Sequence, residues 1–158
     1  MNRPFRSQPM IVKPEWIDYN GHLNMAYYSV LFDQGVDDVW DRFGLGPAYR
    51  DERKMTTYTA EFHIRYIREL HVNDKVTCSF QIVDYDAKRV HSYQELYHED
   101  GWLAATGESL FLSIDQSGAP KVAPFPEDIM AKIREFAGEQ SDLPRPDNAG
   151  RQIAILRK

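Results

Sequence analysis

The chain has 158 residues, 42% of them hydrophobic and 27% charged, a balance that supports a packed core and argues against global disorder. Its net charge of −5 argues against a non-specific nucleic-acid binder, and a single cysteine, Cys78, leaves no internal disulfide to form. No run of about 18 apolar residues is present, and residues 1–6 lack the apolar stretch of a signal peptide, so the expectation is a cytoplasmic protein with no membrane span and no nucleic-acid partner.

Met10-Ile11-Val12, closed by Pro14, reads as a short strand, and Glu15 to Gly21 is polar and turn-rich. From Asn24, the expected N-cap, Tyr27, Tyr28, Leu31, Phe32, Val36, Val39, Trp40 and Phe43 recur at helical spacing. Gly44, Gly46 and Pro47 stop this long helix, and Asp51 to Lys54 reads as a charged connection. Thr57 to Ile67, Val76 to Tyr85, Arg89 to His98 and Trp102 to Ile114 read as strands. Turns at Asn73-Asp74, Asp84 to Lys88 and Glu99-Asp100-Gly101 join them in antiparallel succession. Pro124 and Pro126 precede a short amphipathic helix, Glu127 to Phe136. One domain is expected over residues 1–158, with its core in 8–137 and an extended tail, 138–158, lying on the surface or on a partner subunit. The fold class is α+β: one long apolar helix wrapped by a five-stranded antiparallel sheet.

Chemistry concentrates in Asp18-Tyr19-Asn20-Gly21-His22-Leu23-Asn24, which opens the long helix. A helix N-terminus offers unpaired amides and a positive dipole end, suited to stabilising negative charge on a ligand oxygen. A nearby carboxylate, Asp18, can take a proton from water or attack directly. Gly21 gives the chain the freedom to turn and lets backbone approach a ligand closely. His22 suits orienting Asp18 or touching the ligand, and equally a plain backbone hydrogen bond. Asn24 suits capping the helix or holding water.

The pattern Asp18-x-x-Gly21-His22-Leu23-Asn24, ahead of Tyr27-Tyr28 at the start of a long helix, resembles the signature of the 4-hydroxybenzoyl-CoA thioesterase family of hotdog-fold enzymes. That resemblance covers roughly residues 8–137, because the element order matches too. It implies acyl-CoA thioester hydrolysis with Asp18 as nucleophile or general base and the amides of Asn24 and Met25 around the oxyanion. It also implies a homodimer or dimer of dimers whose sites lie between subunits, with acyl-coenzyme A as partner and no cofactor. The second acid found in many members two residues before the aspartate is here Trp16.

A narrower likeness spans Pro14 to Tyr28, Lys88-Arg89-x-His91 and the terminal Leu143-Pro144-Arg145-Pro146 to Gly150-Arg151-x-Ile153. It looks like the thioesterases of carnitine breakdown, which act on betainyl-CoA. A betainyl group carries a quaternary ammonium, which aromatic faces hold at about 0.5–2 kcal/mol per contact. Trp16, Tyr19, Tyr27, Tyr28 and Tyr58 are the candidate cage. Tyr28 shares spacing with Leu31 and Phe32 and reads as core, leaving Tyr27 to edge the pocket.

Glu61-x-His63 lies on one face of a strand and is a further substrate-binding candidate. Lys88 and Arg89, with Arg65 and Arg68, suit coenzyme A phosphates as well as they suit a solvated surface. The five histidines are scattered without ligand spacing, so no metal is expected, and Cys78 alternates with core residues. A carrier-protein thioesterase, an enoyl-thioester hydratase and a non-catalytic acyl-CoA sensor remain the alternative readings.

Overall fold

The computed structural model describes residues 3–157; Met1, Asn2 and Lys158, which the domain expectation included, lie outside the described residues. Two short strands, β1 (Phe5–Arg6) and β2 (Met10–Ile11), lead to a single 3₁₀ turn at Pro14–Trp16. The long helix α1 (Met25–Phe43) follows, then α2 (Pro47–Arg53). Four long strands come next: β3 (Met55–Tyr66), β4 (Lys75–Tyr85), β5 (Arg89–His98) and β6 (Leu103–Asp115). The short β7 (Lys121–Val122) and helix α3 (Glu127–Glu139) complete the elements.

The sheet is antiparallel in the order β1-β4-β5-β6-β3, with β2 also on β4 and β7 also on β6. It therefore has seven strands where five were expected. The two extra ones, β1 and β7, are two residues each and carry no periodicity to read. The segment Asp51 to Lys54, read as a charged connection, is instead the last turn and cap of helix α2, which starts at Pro47, where a missing N–H costs nothing. Proline there starts a helix; the sequence reading took it only as the end of the previous one.

Helix α1 forms where the apolar period runs. Its N-cap is Asn24, whose side chain accepts from the Ala26 amide at 2.9 Å, and Gly44 ends it in the left-handed conformation at φ 79°. The helix crosses β4 closely: a Cβ on Gly35 would sit 2.4 Å from Cys78 Cβ. Burial pushes the Cys78 thiol far above its ordinary pKa, as suits a packing residue. The C-terminal half of α1 enters an aromatic cluster with Trp40, Phe43, Phe80, Phe111 and Phe136. The N-terminal half packs Tyr28, Leu31 and Phe32 on Leu70, Val76 and Leu96.

Helix α3 buries Ile129, Met130, Ile133 and Phe136 in the core, and the side chain of its C-cap residue also ties it to the outer flank of β4. Gln140, nearly buried, accepts from the Ile82 amide at 2.9 Å and donates to the Phe80 carbonyl at 2.8 Å. Beyond it the chain runs along the surface, where the Gly150 amide donates to Glu108 at 2.7 Å. Ile153, Ile155 and Leu156 are then more than 80% exposed.

Candidate active site

The Asp18–Asn24 segment is a tight hairpin laid against the start of α1. Ile17 bridges Leu23, the Asp18 amide donates to the His22 carbonyl at 3.1 Å, and the Gly21 amide donates to the Asp18 carbonyl at 3.0 Å. Gly21 adopts φ 84°, a conformation that a side chain would strain. Leu23, fully buried, anchors the hairpin through its amide to the Leu70 carbonyl at 2.7 Å. The Asp18 carboxylate accepts from the Asn20 amide at 2.8 Å through one oxygen, which fixes its direction.

The first turn of α1 has its amides divided among partners. Asn24 N–H donates to the Trp16 carbonyl at 3.0 Å, Ala26 N–H to the Asn24 side chain, and Tyr27 N–H to the Asn24 carbonyl. The Met25 amide has no partner among the described residues. The expectation of two oxyanion donors is corrected accordingly: Asn24's amide is spent on the hairpin, and Met25's is the available one. Tyr66, at the end of β3, donates its hydroxyl to the Met25 carbonyl at 3.1 Å and ties strand to helix.

Asp18, His22, Asn24 and Met25 line one cleft of about 510 Å³, together with Tyr66 and Arg68. The His22 ring nitrogen lies 3.4 Å from the Leu23 carbonyl, the plainer of the two roles expected of it. Arg68 carries its guanidinium over the Trp102 ring at 4.1 Å. Tyr28 lies at the cleft's inner wall; its hydroxyl accepts from the Leu70 amide at 3.2 Å, and burial raises its pKa. Among the described residues no group of three His, Cys, Asp or Glu is placed to hold a metal.

The five aromatic candidates for a cage do not converge. Trp16 is buried and stacks on Tyr27, centroids 5.7 Å apart, while Lys13 covers its ring. Tyr19 lines the cleft but is 98% exposed. Tyr28 is core. Tyr58 pairs with Leu112, and its hydroxyl accepts from Gln116.

The other substrate-binding candidates also lie elsewhere. Arg89 pairs with Leu112, whereas Tyr66 at the cleft pairs with Ala105, seven residues and about 23 Å away along β6. Arg89 is held by Asp86 at 2.8 Å, and that guanidinium keeps the Asp86 carboxyl below its ordinary range. Lys88 adjoins it in the same turn. Glu61 and Arg89 line a separate cleft of about 390 Å³ with His91 and Glu108, and His63 registers opposite Glu108 on that outer face. Arg68, a candidate for coenzyme A phosphates, does line the cleft of Asp18 and Met25, whereas Tyr66 carried no signal in the sequence, because only tertiary folding returns the end of β3 to the helix entrance, 41 residues from Met25.

The sequence matches the thioesterase-like superfamily over residues 12–133. The chain belongs to that superfamily. It is 32% identical to a betainyl-CoA thioesterase of Pseudomonas aeruginosa over 91% of each chain. It is also 32% identical to an L-carnitine dehydrogenase/betainyl-CoA thioesterase of Rhizobium meliloti, covering 98% of this chain and 31% of that longer one. Among solved structures it resembles a Staphylococcus aureus protein in complex with CoA, with a TM-score of 0.90 and 32% identity over 99% of this chain and 98% of the other. The hotdog architecture read from the element order is the one shared with this family.

Proposed function

We infer that this chain is an acyl-CoA thioesterase and that betainyl-CoA is its acyl-CoA. The observation that carries the reaction is that Asp18 and the unpartnered Met25 amide line the same cleft. In this reading the thioester carbonyl oxygen accepts from Met25 N–H, and the positive end of α1 stabilises the negative charge that develops there. Asp18, directed by the Asn20 amide, removes the proton from an attacking water or attacks the carbonyl itself. With water as the nucleophile the C–S bond breaks to release coenzyme A and the free acid; with Asp18 as the nucleophile it breaks to release coenzyme A and leave an acyl–Asp18 anhydride, which a water then hydrolyses to the free acid and the regenerated carboxylate. The acyl group is suggested by the relatives that act on betainyl-CoA.

The working unit in this reading is a homodimer or a dimer of dimers. Strand β3 lies at the end of the sheet order, and Tyr58, Phe62, Tyr66 and Ile67 on or beside it are exposed. Lys88 and Arg89 lie too far along the sheet to meet phosphates of a coenzyme A bound at their own chain's cleft, so a substrate role for them requires a second copy. The same holds for Tyr58.

Free-thiol release from a panel of acyl-CoAs, betainyl-CoA included, tests the reading. Release in wild type and its loss in Asp18→Asn are expected. A silent panel with measurable acyl-CoA binding would replace the enzyme by a sensor. Full activity in the Asp18→Asn protein would refute the assigned base or nucleophile.

A further inference from the structure

Beside α1, on the inner face of the sheet, lies a second cavity of about 320 Å³. Phe32, Val36, Phe62 and Phe111, with Val30, give it apolar walls, and Asp33, Gln94 and the hydroxyls of three Ser and Thr side chains are its polar members. Phe32 and Phe62 meet edge to face, centroids 5.4 Å apart with planes at 81°. Two rings at right angles make a corner in which one π face is offered to a small cation. Gly107 makes the corner possible: a Cβ there would fall 2.8 Å from Phe62 and 2.9 Å from Phe32.

The polar groups are unusual for a wall that is mostly carbon. Gln94 has no solvent exposure; its carbonyl accepts from Ser109 at 3.0 Å, but its Nε2 has no partner. A buried donor left unpaired is disfavoured unless an acceptor arrives from elsewhere. Asp33 has no cationic partner among the described residues, and Asp37, Asp38 and Asp41 follow it on the same helix. The Asp37 carboxyl is raised above its ordinary pKa by burial first and by Asp33, Asp41 and Asp38 next, a sign of negative potential along this face.

We propose that this cavity is a quaternary-ammonium subsite: the Phe32–Phe62 corner and the Asp33 carboxylate hold the cationic head of the acyl group, and Gln94 Nε2 donates to the second lone pair of the carbonyl oxygen of that same acyl group. A quaternary ammonium donates no hydrogen bond and needs only aromatic faces and a counter-charge, which the ring corner and Asp33 supply. The subsite rests on the acyl-CoA reading above. One methylene separates the ammonium of a betainyl group from its carbonyl, but eight residues of helix, about 12 Å, separate Asp33 from Met25. The subsite therefore serves a thioester polarised by the α1 N-terminus of a second copy.

The test compares betainyl-CoA with tert-butylacetyl-CoA, its uncharged isostere of the same shape. Wild type is expected to prefer the cationic ester in kcat/KM, and Asp33→Asn to reduce that preference roughly tenfold to hundredfold. Phe62→Leu, which keeps volume but removes the π face, acts in the same direction and less strongly. A preference ratio unchanged in Asp33→Asn overturns the subsite. Calorimetry with tetramethylammonium separates this from failure of the thioesterase reading. Binding by wild type and weakened binding by Asp33→Asn support the subsite even if no thioester is cleaved, and absence of binding by wild type overturns it.

Discussion

The two ends of α1 solve opposite problems. At its C-terminus every feature closes the structure: Gly44 turns the chain back, Trp40 packs on Phe111 at 4.9 Å, and Phe43 meets Phe136 at 5.2 Å. At its N-terminus the amides of Asn24, Ala26 and Tyr27 are satisfied by the hairpin and cap, and Met25's is left facing a cleft with Asp18. A helix end that leaves one donor open while its neighbours are tied differs from one that frays. The ties hold the open donor in position, which is what stabilising a developing charge requires.

Substitutions at the two ends should separate turnover from stability. The largest effect expected is on the open end: Asp18→Asn lowers kcat by about 10²–10⁴, with an unchanged melting temperature, read by thiol release beside a thermal melt. At the closed end Phe43→Ala costs about 3–5 kcal/mol of stability, read by denaturant unfolding. Its kcat per folded molecule should stay near wild type, and a large loss there would show that the two ends are coupled. Gly35→Ala forces a methyl into Cys78 midway along the helix and should cost about 1–3 kcal/mol. Asn24→Ala removes the cap for about 1 kcal/mol and, unlike the core variants, should also lower kcat, because the cap holds the first turn that carries Met25.

The smallest effect is in acid. Arg89, followed by the Lys88 amide, holds the Asp86 carboxyl below its ordinary value, so its contribution is present above the unfolded pKa near 3.9 and is lost as pH falls through the folded one. Asp37 has the opposite sign. Its pKa is raised, so its ionised form weakens the fold at neutral pH, and stability recovers as pH falls through that raised value. Asp37→Asn should therefore melt slightly higher than wild type near neutral pH, and the difference should vanish in acid. Melts across the two pH ranges check both signs.

The long elements were legible because each is specified by its own residues. The apolar period from Tyr27 to Phe43, the Asn24 cap and the Gly44 stop are local signals, and so are the four long strands. The helix entrance was legible for the same reason, since Asp18, Gly21 and Met25 lie within eight residues. What the sequence did not disclose depends on where β3 returns. Tyr66 reaches Met25, and Phe62 reaches Phe32, only after the sheet wraps the helix. Tyr58, Glu61, His63, Lys88 and Arg89 have suitable side chains but lie on the outer face or at the far end of the sheet. Trp16 and Tyr27 spend their faces on each other. Asp33 carried a faint signal, standing two helical turns beyond Met25 at the same i, i+4 spacing through Ser29.

The Gln140 clamp reaches beyond the helix that it anchors. Its amide imitates a peptide group on the flank of β4, where β1, β2 and Ser7 occupy the remaining positions. That flank is closed to further strands, while β3 at the opposite edge has no neighbouring strand beyond it among the described residues. A sheet with one open side is a monovalent unit. Joining two through β3 consumes both free sides, so association by strand pairing stops at a pair and cannot run on into a fibre.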